Sequence, residues 1–126
     1  MSSPADCRFS QTHEWFRAAG DTVTVGITRF AVNELTDVTY VQMKPVGTAV
    51  KAGDSIGEVE SVKATSDVYS TVGGQIAEVN AALADHPELV NQDPFGKGWL
   101  VKIKASDAGP LKNLMDAATY DGKFPA

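Results

Sequence analysis

Lys63 is the only lysine or arginine between Lys51 and Lys97, and the carboxylates of Asp54, Glu58, Glu60 and Asp67 surround it. A lone amine in an acidic setting is a candidate recognition handle and a candidate for covalent modification. A lysine at a turn is ordinarily a solvated charge, so the pattern alone takes the argument no further. Other chemistry is poorly supported. Cys7 is the single cysteine, and nothing stands beside it as a paired base; His13 is too weak a partner. No two Cys or His residues have metal-ligand spacing, and no glycine-rich strand-to-helix phosphate loop is present.

The elements that must position Lys63 are extended. Ser55–Ser61 and Thr65–Val72 read as the two arms of a hairpin whose tip holds the lysine. Val62-Lys63 lacks the Asn-Gly or Asp-Gly pair that two-residue hairpins favour, so a looser type I turn is expected. Upstream, Thr22–Ile27 alternates, with Val23, Val25 and Ile27 on one face. Thr28 is placed to cap a short helix from Arg29 to about Leu35, with Phe30 and Leu35 inward. Val38–Met43 is strand-like. Phe9–Phe16 is short and aromatic, and is expected on a surface or edge.

Downstream, Gln75–Asn80 reads as a strand and Ala81–Asp85 as one helical turn. Pro87–Val90 reads as a second turn, with Pro87 at a first helical position. Asp93–Gly96 is a structural loop. Trp99, Val101 and Ile103 point inward from a strand ending at Lys104. Pro110 opens a short amphipathic helix with Leu111, Leu114, Met115 and Ala118 on one side, followed by a polar tail. Short strands with glycine turns predict a mainly β domain, a sandwich or barrel. The strands fall into two rough halves, before and after Lys63, which suggests two hairpin layers packed face to face.

The totals set limits. The 126 residues fit one domain, with 1–8 as a flexible leader and 9–126 as the folded unit. A hydrophobic content of 43% suffices for one core. A net charge of −5 disfavours nucleic acid and anionic membrane surfaces, and permits steering toward basic patches on protein partners. One cysteine excludes an internal disulfide and fits a reducing compartment. The leader has no apolar core and no basic start. The expected setting is cytoplasmic, with a processed organellar form as the alternative.

Glu60-Ser61-Val62-Lys63-Ala64, followed by Ser66-Asp67 and Tyr69-Ser70, resembles the lipoylation segment of the glycine cleavage system H proteins. Thr12-His13-Glu14-Trp15, Gly26-Ile27-Thr28, Pro87 to Pro94 and Gly98-Trp99 resemble further motifs of that family, in its order. The similarity runs from about Phe9 to Tyr120. It implies a flattened hybrid of β-barrel and sandwich with small peripheral helices, including a C-terminal one. It implies lipoic acid in amide linkage on Lys63, with Glu60 and Asp67 read by the lipoate-attaching enzyme. It also implies a cleft into which the loaded arm folds, with Glu14 holding the cationic amine.

By the same resemblance the protein is a carrier and not an enzyme. Its arm accepts an aminomethyl group from a pyridoxal-phosphate glycine decarboxylase and presents it to a tetrahydrofolate-dependent aminomethyltransferase. A flavin-containing dihydrolipoyl dehydrogenase reoxidises it. Thr71, Arg29, Thr36 and Lys44-Pro45 depart from the family pattern; Thr36 stands where a glycine is usual, and Arg29 alters charge near the presumed partner surface. Three alternatives stay open: a relay that passes lipoate to other acceptors, a biotin carrier, and an unmodified interaction module with a β fold. Val62 and Ala64 disfavour the second, since methionines typically flank a biotinylated lysine.

Overall fold

The computed structural model describes residues 3–126. Nine strands, all paired antiparallel, form two sheets. They are β1 (Arg8–Phe9), β2 (Glu14–Ala19), β3 (Thr22–Ile27), β4 (Val38–Met43), β5 (Ala49–Val50), β6 (Ser55–Ser61), β7 (Thr65–Tyr69), β8 (Gly74–Val79) and β9 (Val101–Ala105). One sheet has the order β1-β2-β3-β9-β8-β5 and the other β4-β6-β7. The layers are therefore not the halves before and after Lys63. The larger sheet draws strands from both sides of it, and the smaller sheet spans it.

Alternation does what the sequence predicts in β3 and β9. Val23, Val25, Ile27, Val101 and Ile103 are buried, while Lys104 is exposed. They meet Ile56, Val59 and Val68 of the small sheet in one apolar cluster. Burial of this face supplies the main stabilisation, at roughly 25 cal/mol per Å² of apolar surface.

A second cluster lies on the opposite face of the larger sheet. Phe9 and Trp15 pair across β1 and β2 and pack with Cys7 and Tyr120, while Phe16 turns into the main core. Phe9, Trp15 and Phe16 are all buried, contrary to the expected surface placement. A strand end covered on both faces reads as a continuous apolar run, not as an alternating one. Gly26 lies opposite Trp15 in the register, and the indole occupies the space where a Cβ would stand, 2.5 Å away.

Residues 1 and 2 lie outside the described residues, and parts of the leader beyond them touch the folded unit. Ser3 Oγ donates to Asp121 at 2.6 Å, Arg17 pairs with Asp6 at 3.0 Å, and Cys7 is buried. Burial pushes the Cys7 thiol up to about 12, which leaves no thiolate for chemistry.

Four short α-helices flank the sheets: α1 (Arg29–Leu35), α2 (Ala82–Asp85), α3 (Leu89–Gln92) and α4 (Ala117–Lys123). Thr28 caps α1 by accepting from Ala31 N–H at 3.2 Å. Val32 and Leu35 are buried, whereas Phe30 is only partly so. The single helix expected after Pro110 is two elements. A 3-10 turn over Gly109–Asn113 ends at extended Leu114; Asp116 then caps α4 by accepting from Thr119 N–H at 2.8 Å. An aspartate prefers a helix start to a helix interior, so it splits the run. Trp99 precedes β9 instead of opening it, and packs partly buried against the second cluster with Lys102 over its ring. Among the described residues no helix is long and apolar enough to cross a membrane.

Candidate functional site

The tip between β6 and β7 is held by one serine. Ser61 N–H donates to the Ala64 carbonyl at 2.8 Å, and Ser61 Oγ accepts from Lys63 N–H at 3.2 Å and Ala64 N–H at 3.0 Å. Neither Val62 nor Lys63 enters the left-handed region, which agrees with a type I geometry. Val62 is 75% exposed, and Lys63 is exposed beside it. The tip leans on the end of α1. Lys63 Nζ donates to the Glu34 carbonyl at 3.1 Å, and Val62 N–H to the Asp37 carbonyl at 3.3 Å. The last carbonyls of a helix lack intrahelical partners and attract a cation. α1 has no basic residue of its own in its last turn, so Lys63 supplies one from another element.

Beside the tip lies a cleft of about 590 Å³, within the range of small-ligand sites. Phe30, Leu35, Val59 and Val68 give it apolar walls; Lys63 and Asp67 stand at one side, and His13 and Glu14 at the other. Glu14 is 1% exposed. One carboxylate oxygen accepts from Ser10 Oγ at 2.6 Å and from the Thr12 hydroxyl; the other accepts from Tyr69 N–H at 3.1 Å. Burial raises its pKa, and those hydrogen bonds oppose the rise. Glu14 thereby ties the larger sheet to β7, which carries the tip.

His13 has φ +73°, a conformation that histidine tolerates better than most residues. Its Nδ1 meets Tyr120 Oη at 2.7 Å, and Tyr120 Oη meets Thr28 Oγ1 at 2.7 Å. Phe30 lies tilted against the imidazole at 4.5 Å, and Phe124 meets it edge-on at 4.7 Å. Burial lowers the His13 pKa, and the Glu34 charge only partly restores it. Burial also pushes the Tyr120 hydroxyl up to about 12, so the group that His13 meets behind the cleft is a neutral phenol.

Of the residues singled out from sequence, the structure thus brings Lys63, Asp67 and Glu14 to one cleft. Glu60 lies outside it, half-buried on the outer face of the hairpin, and its carbonyl accepts from Thr39 Oγ1 at 3.3 Å. Sequence reasoning missed Phe30 as a cleft wall, because helical spacing marks it simply as inward. It also missed Asn91. A lone asparagine in a short helix carries no periodic signal, and its partners lie more than fifty residues upstream. Among the described residues no group of three or more His, Cys, Asp or Glu could hold a metal ion.

An antiparallel two-sheet domain with an exposed lysine on a hairpin tip defines the flattened barrel–sandwich hybrid of the lipoyl and biotinyl carrier type. The family model described as glycine cleavage H-protein matches residues 7–124. The glycine cleavage system H protein of Thermus thermophilus is 50% identical over 120 residues, covering 95% of this chain and 94% of that protein. That of Pseudoalteromonas atlantica is 52% identical over 122 residues, covering 96% and 95%. A crystal structure of a glycine cleavage system H protein from Mycobacterium marinum superposes with a TM-score of 0.88 at 41% identity, covering 96% of this chain and 98% of that one. The chain belongs to the glycine cleavage H-protein family.

Proposed function

We propose that the protein is the lipoyl carrier of a glycine cleavage system, with the lipoyl arm in amide linkage on Lys63. The observation that carries this reading is the exposed Lys63 amine on a fixed tip, at the lip of a 590 Å³ cleft with both apolar and acidic walls. The residues present suit such an arm. Phe30, Leu35, Val59 and Val68 offer a dry surface for its hydrocarbon stem. When attached, the lipoyl group supplies a disulfide that takes an aminomethyl group from a pyridoxal-phosphate decarboxylase, yields it to an aminomethyltransferase and is reoxidised by a dihydrolipoyl dehydrogenase.

The protein's own residues then have three tasks. Ser61 and the end of α1 fix the tip so that Lys63 stands exposed at the lip of the cleft, within reach of an enzyme that attaches lipoate. Glu60 on β6 and Asp67 on β7 flank the tip, and are the residues that enzyme would read. Asp67 sets negative charge beside the cleft, which favours a cationic amine over a neutral one; burial disfavours the charged form of Glu14, and an ammonium in the cleft would favour it. The chain is a carrier and not an enzyme in its own right. Tethering raises the local concentration of the group it bears to the order of millimolar at each docked active site.

Intact mass tests the reading. Incubation of the full chain with lipoate, ATP and a lipoate ligase should add a single lipoyl increment. Lys63→Ala should show none. A wild-type mass that never shifts sinks the proposal. Labelled bicarbonate exchange with a glycine decarboxylase then separates a glycine cleavage carrier from a relay that serves other acceptors.

A further inference from the structure

Asn91 stands in α3, outside the cleft, yet each of its polar atoms is engaged. Its side-chain oxygen accepts from Val38 N–H at 2.8 Å, and its side-chain amide donates to the Thr36 carbonyl at 2.7 Å. Its main-chain carbonyl accepts from Arg29 Nη1 at 2.6 Å, and its N–H donates to the Glu88 carbonyl at 3.0 Å. The two side-chain bonds bracket Asp37. The Asp37 carbonyl is the one that receives Val62 N–H, and the Glu34 carbonyl, two residues before Thr36, receives Lys63 Nζ. The tip therefore rests on residues 34–38, and a single asparagine clamps that rest from behind.

The clamp works against resistance. Thr36 has φ +65° and ψ −142°, where a β-branched residue is an outlier. Such a conformation persists only when its surroundings over-determine it. Here the Thr36 N–H is held by the Val32 carbonyl at 2.9 Å, and the Thr36 carbonyl by Asn91.

We propose that Asn91 is a positioning residue for the acceptor lysine: it fixes the 36–38 segment, and through the Asp37–Val62 bond it fixes the direction in which Lys63 is presented. The proposal rests on Lys63 being the lipoylated residue. Without the clamp the tip samples other orientations, and the apparent affinity of the attaching enzyme falls in proportion to the competent fraction.

The test uses the full chain and three variants. Asn91→Ala removes both side-chain bonds. Asn91→Asp keeps an acceptor for Val38 N–H and loses the donor to Thr36. Asn80→Ala is the control, because Asn80 Nδ2 donates to the Lys97 and Trp99 carbonyls, both at 2.8 Å, in another part of the fold. Two readouts are taken: amide exchange at Val62 relative to the core amides of Val25 and Val101, and the KM and kcat of a lipoate ligase for the protein. Both Asn91 variants should speed Val62 exchange selectively. They should raise KM about three- to tenfold while kcat stays within about twofold, and Asn80→Ala should do neither.

The proposal is overturned if folded Asn91 variants keep wild-type exchange and KM, or if Asn80→Ala shifts both readouts equally. Loss of folding in both Asn91 variants, with Asn80→Ala folded, also overturns it by making Asn91 a determinant of the whole domain. A wild-type chain that takes up no lipoyl group overturns the carrier reading instead, and it does so before any variant is made.

Discussion

Among the described residues two hold positive φ without being glycine, His13 and Thr36, and they behave differently. Thr36 is strained, and strain of this kind costs of the order of 1–3 kcal/mol. Thr36→Gly relieves it, at the cost of about 0.5–1 kcal/mol of added chain entropy on folding. A net gain of about 1 kcal/mol is expected, read as a higher urea midpoint with an unchanged m-value. His13 is a titration case. Its folded pKa is depressed below the ordinary 6.5, so the unfolded chain takes up the proton first. The stability it contributes is fully present above that value and is lost as pH falls through the folded one. Glu14 titrates with the opposite sign, because its folded pKa is raised. The clean measurement is therefore the difference between wild type and His13→Asn, in which the Glu14 contribution cancels. That difference should shrink as pH is lowered from about 7 to about 5; a difference independent of pH would remove His13 from the account.

At the scale of elements, the contact of β2 with β3 is the most demanding. Trp15 lies against the bare backbone of Gly26, and its indole N–H donates to the Pro94 carbonyl at 2.9 Å. A methyl at position 26 must displace a ring that is wholly buried and hydrogen-bonded through the edge it would strike. Gly26→Ala should destabilise by about 1–3 kcal/mol through overpacking, with a matching loss in thermal midpoint and a shift in tryptophan emission. Much of the element list was legible beforehand. Alternation gave β3 and β9, and the Thr28 cap gave α1. The aromatic run at Phe9–Phe16 lies inside and not at the surface expected of it, because α4 and the Pro94–Phe95 loop cover its second face. The helix expected after Pro110 divides in two because apolar spacing carries no trace of the capping preference of Asp116.

At the scale of the molecule, sheet membership could not be read from strand order. The two layers interleave strands from both sides of the tip, and only pairing at long range decides which strand joins which sheet. The site was half-legible for the same reason. Lys63 stood out as a lone charge, and its motif carried the family resemblance. The platform beneath it (Glu34, Asp37 and Asn91) is built mainly of main-chain carbonyls and one amide, which leave no compositional trace.

The pairing of Glu58 with Asp67 across β6 and β7 has an electrophoretic consequence. Like charges set opposite one another repel, and Lys63 is the one cation nearby in sequence to offset them. Acylating its amine would leave that ribbon uniformly anionic and the whole chain one unit more negative than −5. Native gel or anion-exchange retention should then resolve bare from acylated protein without any label, and the two bands should run together for Lys63→Ala.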